Sequence, residues 1–231
     1  MSSPGRDLEE NPLPAVREDK LSIPGPAGAL EVACREGSAD GRFAGRGWCA
    51  VVCHPHPLHG GTMDNKVVTT LARAYGELGV DVTRFNFRGV GASAGVHDNG
   101  VGEVGDLRAV AAWSRERFAA SQLLLAGFSF GCGVVSNACG QIPVAHALLV
   151  APPVGRYNFR PVGGYPCPVC VVMGGRDELV DPAQVHAWAE SLTPRPELIA
   201  MPDAGHFFHG QLVDLRQRLV ATLVRQLAGI P

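Results

Sequence analysis

Residues 122–133, QLLLAGFSFGCG, decide how this chain is read. The apolar run Leu123-Leu124-Leu125-Ala126 has the length of a strand buried on both faces, and it leads straight into Gly127-Phe128-Ser129-Phe130-Gly131. A serine with glycines two residues to either side, at the exit of such a strand, is the pattern of a nucleophile elbow. The reason is steric. A sharp strand-to-helix turn strains the serine backbone, and neighbours bearing a Cβ would collide there. The turn lifts the hydroxyl above the sheet and aims the free N–H groups of the next helix at whatever the serine attacks. A tight turn with an incidental serine is the plain alternative. The rest of the chain decides between them.

Working outward, β-rich runs alternate with helical periodicity from residue 48 onward, which argues an α/β fold with a mostly parallel sheet and helices on both faces. Lys20–Ile23 and Ala29–Cys34 around Pro26-Ala27-Gly28 predict an opening hairpin. Trp48–Cys53, Val80–Asn86, Gln122–Ala126, Ala145–Val150, Val169–Met173 and Glu197–Met201 predict the further strands. Helices are expected over Asn65–Leu78, Glu103–Phe118, Gly131–Cys139, Ala183–Leu192 and Gln211–Leu227. The last carries Leu212, Leu215, Leu219, Leu223 and Leu227 on one face, as a helix packed on a sheet does. Residues 1–19 are polar, acidic and proline-bearing and read as a flexible tail, leaving 20–231 as one catalytic domain.

In an open parallel sheet, functional residues gather where strands end. Two further strand exits carry matching chemistry. Gly174-Gly175-Arg176-Asp177 follows one, and Pro202-Asp203-Ala204-Gly205-His206 follows another. The order Ser129, Asp177, His206 gives a nucleophile, a carboxylate to orient an imidazole, and the imidazole as base. Asp181 precedes Pro182 and reads as a helix cap instead. Asp203 lies too near His206 to orient it, and His186 and His209 read as surface or packing residues. An oxyanion needs two donors. Phe130 N–H supplies one, and the loop His54-Pro55-His56-Pro57-Leu58-His59-Gly60-Gly61 should supply the other. Prolines have no N–H, so His56 and Leu58 remain, with Leu58 favoured because the glycines after it let the loop bend.

These features, with HPHPLHGGTMDNKV at residues 54–67 and FNFRGVGASAG at 85–95, resemble the α/β-hydrolase superfamily. More narrowly the chain is similar, over about residues 20 to 228, to a small lidless bacterial group described as dienelactone-hydrolase-like. The resemblance implies an eight-stranded sheet without a cap domain and a carboxylic-ester-type serine hydrolase using Ser129, His206 and Asp177. Dienelactone hydrolases themselves carry a cysteine where this chain has Ser129. With only Ala151 to Pro166 available for a lid, the pocket should be shallow, walled by His56, Pro152, Tyr157, Phe159 and Phe207. Small or accessible acyl substrates, as esters or thioesters, are expected.

Rival readings exist. His54, His56 and His59 approach a metallohydrolase spacing, but Leu58 stands where that motif needs aspartate, so rim or packing histidines are the better reading and no metal is expected. Gly89-Val90-Gly91-Ala92-Ser93-Ala94 matches a dinucleotide fingerprint but reads on into loop, and Arg88 reads as a loop anchor; no cofactor is expected. A non-catalytic binding module on the same fold is the third alternative. The seven cysteines sit mostly among apolar residues and read as buried thiols, with Cys167-Pro168-Val169-Cys170 as strand entry. Net charge is −2 and no apolar run nears the roughly 20 residues of a membrane helix, which argues against nucleic-acid and membrane partners. A cytoplasmic monomer or homodimer is expected.

Overall fold

Every residue of Trp48–Cys53 and of Val169–Gly174 is buried, as strands covered on both faces must be. The computed structural model describes residues 18–157, 159 and 164–230. The elements in chain order are β1 (Asp19–Gly25), β2 (Gly28–Arg35), β3 (Trp48–Cys53), α1 (Lys66–Glu77), β4 (Asp81–Phe85), α2 (Val101–Arg117) and β5 (Gln122–Phe128). There follow α3 (Phe130–Cys139), β6 (His146–Val150), β7 (Val169–Gly174), α4 (Pro182–Ser191), β8 (Glu197–Met201) and α5 (Leu212–Leu227). The eight strands form one sheet in the order β1-β2-β4-β3-β5-β6-β7-β8. The β1–β2 hairpin and the β2–β4 pair are antiparallel; every other pairing is parallel.

The parallel strands need crossover helices, and those helices bury the sheet. α1 packs against α5, and α2 against α3. The leucine stripe of α5 forms as expected, with Leu215, Leu219, Leu223 and Leu227 fully buried. Between β6 and β7, the described residues of 151–168 contain no helix, so among the described residues no cap domain covers the strand ends.

Most element boundaries differ from the sequence reading by one or two residues, and two of these differences have a visible cause. β1 begins at Asp19, whose Cα pairs with Cys34, and Glu18 is held by the buried Arg84, whose Nη2 donates to both its carboxylate oxygens at 2.7 Å. Residues 1–17 of the expected tail lie outside the described residues. α2 begins two residues before Glu103, because Gly100 turns with φ 91° and the Glu103 carboxylate accepts the N–H groups of Asp98 and Gly100 at 2.8 Å each. The glycine-rich loop after β4 opens no helix at residue 94, and Arg88 anchors it by forking onto Asp106 at 2.8–2.9 Å and donating to Gly102 O at 2.7 Å. All seven thiols are buried and free, and Val169 begins β7. Among the described residues no helix is long and apolar enough to cross a membrane.

His146 at the start of β6 has no exposed surface, and its Nε2 lies 2.7 Å from Gln226 Oε1 on α5. Burial lowers its pKa from 6.5 to about 4. The unfolded chain therefore binds this proton more readily, and stability is lost as pH falls from about 6.5 towards 4, by on the order of 3 kcal/mol at full titration. Melting followed across that range should show the loss, and His146→Gln should make it shallower, leaving the part due to the other buried imidazoles; an identical slope in both proteins would contradict this assignment.

Candidate active site

The junction of β5 and α3 is as tight as the glycine spacing requires. Ser129 sits at φ 52° and ψ −118°, and its N–H donates to Val150 O at 2.9 Å. A Cβ on Gly127 would stand 2.5 Å from the Gly131 carbonyl carbon. One on Gly131 would stand 2.7 Å from Cys53 O and 2.8 Å from His54 O. The first turn of α3 is thus pressed against the loop leaving β3, with the free N–H groups of a helix start, Phe130 first among them, behind the serine.

Two more strand exits meet it there. His206, only 2% exposed, follows β8 and brings Nε2 to 3.1 Å from Ser129 Oγ. Its Nδ1 lies 2.8 Å from Asp177 Oδ2, after β7. That acceptor places the ring proton on Nδ1 and leaves the Nε2 lone pair facing the serine. The other Asp177 oxygen accepts the N–H groups of Leu179 at 2.9 Å and Val180 at 2.8 Å, so the carboxylate is fixed from both sides. Phe128 lies along the imidazole, centroids 5.1 Å apart. One contributor escaped the sequence reading. Glu178 Oε2 accepts the His206 backbone N–H at 3.1 Å and so holds the base from its main chain. Its only sequence signal is adjacency to Asp177.

A cleft of about 200 Å³ opens over Ser129, lined among others by His56, Pro153, Tyr157, His206 and Phe207. A larger hollow of about 480 Å³ lies beside Ser121 and Gln141, away from these groups. Of the expected pocket residues, His56, Tyr157 and Phe207 face the cleft. Phe159 does not: its ring packs edge-on against Trp188, 5.4 Å between centroids, and Pro153 lines the cleft where Pro152 was expected.

Leu58 is also corrected. Pro57–His59 winds into a short 3-10 turn that turns the Leu58 N–H onto His56 Nδ1 at 3.2 Å, and the side chain is 70% exposed. Its N–H is engaged within the loop, which leaves His56 of the two candidates. The loop histidines do not converge on a metal position. His54 is fully buried with both ring nitrogens on backbone groups, and no cluster of metal-ligating residues occurs among the described residues. His56 is packed by His59, His97, Phe130 and Tyr157, and its pKa is lowered first by burial, then by the two neighbouring imidazoles. The remaining competitors lie elsewhere. Asp181 accepts the Ala183 N–H at 2.9 Å as the cap of α4, Asp203 pairs with Arg176 at 2.6 Å on the surface, His186 is exposed on α4, and His209 lies against Phe207.

Comparison with known proteins gives a consistent result. XC6422 of Xanthomonas campestris, described as an α/β serine hydrolase without lid, is 44% identical, with a TM-score of 0.86 over 96% of this chain and 100% of that one. An α/β serine hydrolase homologue from Coxiella burnetii is also 44% identical, with a TM-score of 0.84 over 89% of this chain and 97% of that one. The uncharacterized protein RP471 of Rickettsia prowazekii is 35% identical over 187 residues, 75% of this chain and 79% of its own. No family model matches the chain.

The elbow's lack of space makes a direct test. Gly131→Ala forces a methyl group onto backbone carbonyls and should cost about 1–3 kcal/mol of stability. By displacing the serine it should also lower turnover of a model ester by about 10²-fold. Asp181→Ala should cost about 1 kcal/mol through the lost cap and leave turnover within about twofold of wild type. Denaturant unfolding and p-nitrophenyl acetate assays on both variants check this; full activity in Gly131→Ala, or inactivation by Asp181→Ala, would contradict it.

Proposed function

This chain belongs to the α/β serine hydrolases, and from that membership we propose that it cleaves carboxylic esters or thioesters through an acyl-enzyme on Ser129. The observation that carries the proposal is the unbroken relay above an open cleft: Ser129 Oγ to His206 Nε2 at 3.1 Å and His206 Nδ1 to Asp177 Oδ2 at 2.8 Å. Ser129 Oγ attacks the acyl carbon while its proton passes to His206 Nε2, and the carbonyl electrons move onto oxygen. Asp177 holds the ring in the tautomer that can accept that proton and stabilises the imidazolium. Phe130 N–H, at the start of α3, stabilises the oxyanion together with an N–H from the loop after β3. Collapse expels the alcohol or thiol, which takes the proton from His206. Water, deprotonated by His206, then attacks the acyl-enzyme and releases the acid.

The size of the cleft selects the substrate class. Its volume of about 200 Å³ is below the roughly 300–1,000 Å³ of sites for drug-sized ligands. Among the described residues no cap encloses a tunnel that would bury a long acyl chain. Tyr157, Pro153 and Phe207 give it an apolar wall, which suits a short acyl group or the exposed acyl end of a larger molecule. The two loops at 54–67 and 85–95 carry the likeness to the dienelactone-hydrolase-like group, while the serine nucleophile separates this chain's chemistry from that of the cysteine enzymes.

Kinetics on purified protein test both parts. Ser129→Ala should lower kcat by about 10⁴–10⁶ and Asp177→Asn by about 10⁴, each with melting unchanged. Among p-nitrophenyl esters, acetyl and butyryl should be preferred over palmitoyl. Wild-type turnover in Ser129→Ala would overturn the mechanism, and a rate rising steadily to palmitoyl would overturn the substrate class.

A further inference from the structure

From Pro55 to His59, the N–H groups other than that of His56 are absent or engaged. Pro55 and Pro57 have none. Leu58 donates to His56 Nδ1 at 3.2 Å, and His59 donates to His56 O at 3.1 Å. Of these five residues His56 alone has an N–H left to offer, and the direction of the Pro55–His56 peptide decides where it points.

That peptide is held by His54. The ring has no exposed surface and packs against Phe87 with centroids 4.6 Å apart. The Phe87 N–H can only donate, and it meets His54 Nε2 at 3.0 Å. The ring proton is therefore on Nδ1, which donates to Pro55 O at 2.6 Å. Burial lowers the pKa of His54 to about 4, so it stays neutral and keeps this pair of roles at ordinary pH. In a trans peptide the C=O and N–H point in opposite directions. With Pro55 O turned inward onto the imidazole, the His56 N–H turns the other way. His56 itself lies over the elbow, its ring 5.1 Å from that of Phe130, and lines the cleft with Ser129.

We propose that His54 is a positioning residue that fixes the Pro55–His56 peptide so that the His56 N–H serves as the second oxyanion donor. The inference rests on the acyl-enzyme reading above. It explains why a histidine occupies a site with no access to substrate. One side chain must accept from the loop after β4 and donate to the loop after β3, and a neutral imidazole does both at fixed spacing.

Three substitutions test it. His54→Phe keeps the ring volume but removes both bonds; kcat should fall by about 10²–10³, with KM within about threefold. Affinity for a trifluoromethyl ketone, which mimics the tetrahedral oxyanion, should fall in proportion to kcat, a readout that a merely structural role would leave alone. His54→Asn carries an amide N–H near the Nδ1 position and should recover at least about tenfold of the lost kcat. If His54→Phe does not fold, His54→Gln, which reaches only the Phe87 N–H, takes its place with the same expectation. A folded Phe or Gln variant with kcat within about threefold of wild type, or an Asn variant no better than they are, would overturn the inference. Stoichiometric labelling of wild-type Ser129 by a fluorophosphonate separates the two levels: where it succeeds, those results count against His54 alone, and where it fails, the acyl-enzyme reading falls and this inference with it.

Discussion

The first turn of α3 folds so tightly onto the end of β5, and so close to the exit of β3, that neither Gly127 nor Gly131 has room for a methyl group, and the placement of Ser129 follows from those contacts. The positive φ of Ser129 is held by flanking constraints: its N–H is bound to Val150 O, and its carbonyl accepts the Cys132 N–H at 2.8 Å. Strain of this kind, of order 1–3 kcal/mol, persists only where the surroundings determine the backbone completely. Here the surroundings are β3, β5 and β6, buried throughout apart from a single partly exposed residue where β5 begins, so the serine sits on the buried centre of the sheet.

The partners of the serine are fixed mainly by backbone groups. Asp177 is held by two N–H groups and the imidazole, and His206 by the Asp177 and Glu178 carboxylates. His54 is held by a main-chain donor and a main-chain acceptor. Preorganised dipoles of this kind need no rearrangement as charge develops, which is how such sites stabilise an oxyanion. The loop after β3 carries two prolines, which lack N–H groups and restrict the backbone, leaving few N–H groups to aim.

The inner strands were legible in the sequence because a parallel sheet covered on both faces needs continuous apolar runs, and Leu123–Ala126 and Val169–Met173 are such runs. The elbow was legible because its glycines answer a steric demand that no other residue meets. Asp177 could be told from Asp181 because a cap followed by proline has a local signature. What failed depended on side-chain contacts, near or distant, that no residue pattern announces. Leu58 was favoured because the glycines after it let the loop bend, yet the 3-10 turn Pro57–His59 directs its N–H onto His56 Nδ1 at 3.2 Å. Phe159 was placed in the pocket, yet it turns to Trp188 on α4, which no local pattern announces. The start of α2 was missed because Gly100 and Glu103 together build a cap that propensity alone does not reveal.

The proposed chemistry requires a covalent acyl-enzyme on Ser129. Intact-mass measurement after rapid acid quench of a p-nitrophenyl acetate reaction tests it most directly. Wild type should carry one acetyl group, mapped to the peptide containing Ser129, and Ser129→Ala should carry none. An acetyl group on any other residue, or turnover in wild type without an adduct on Ser129 under single-turnover sampling, would contradict it.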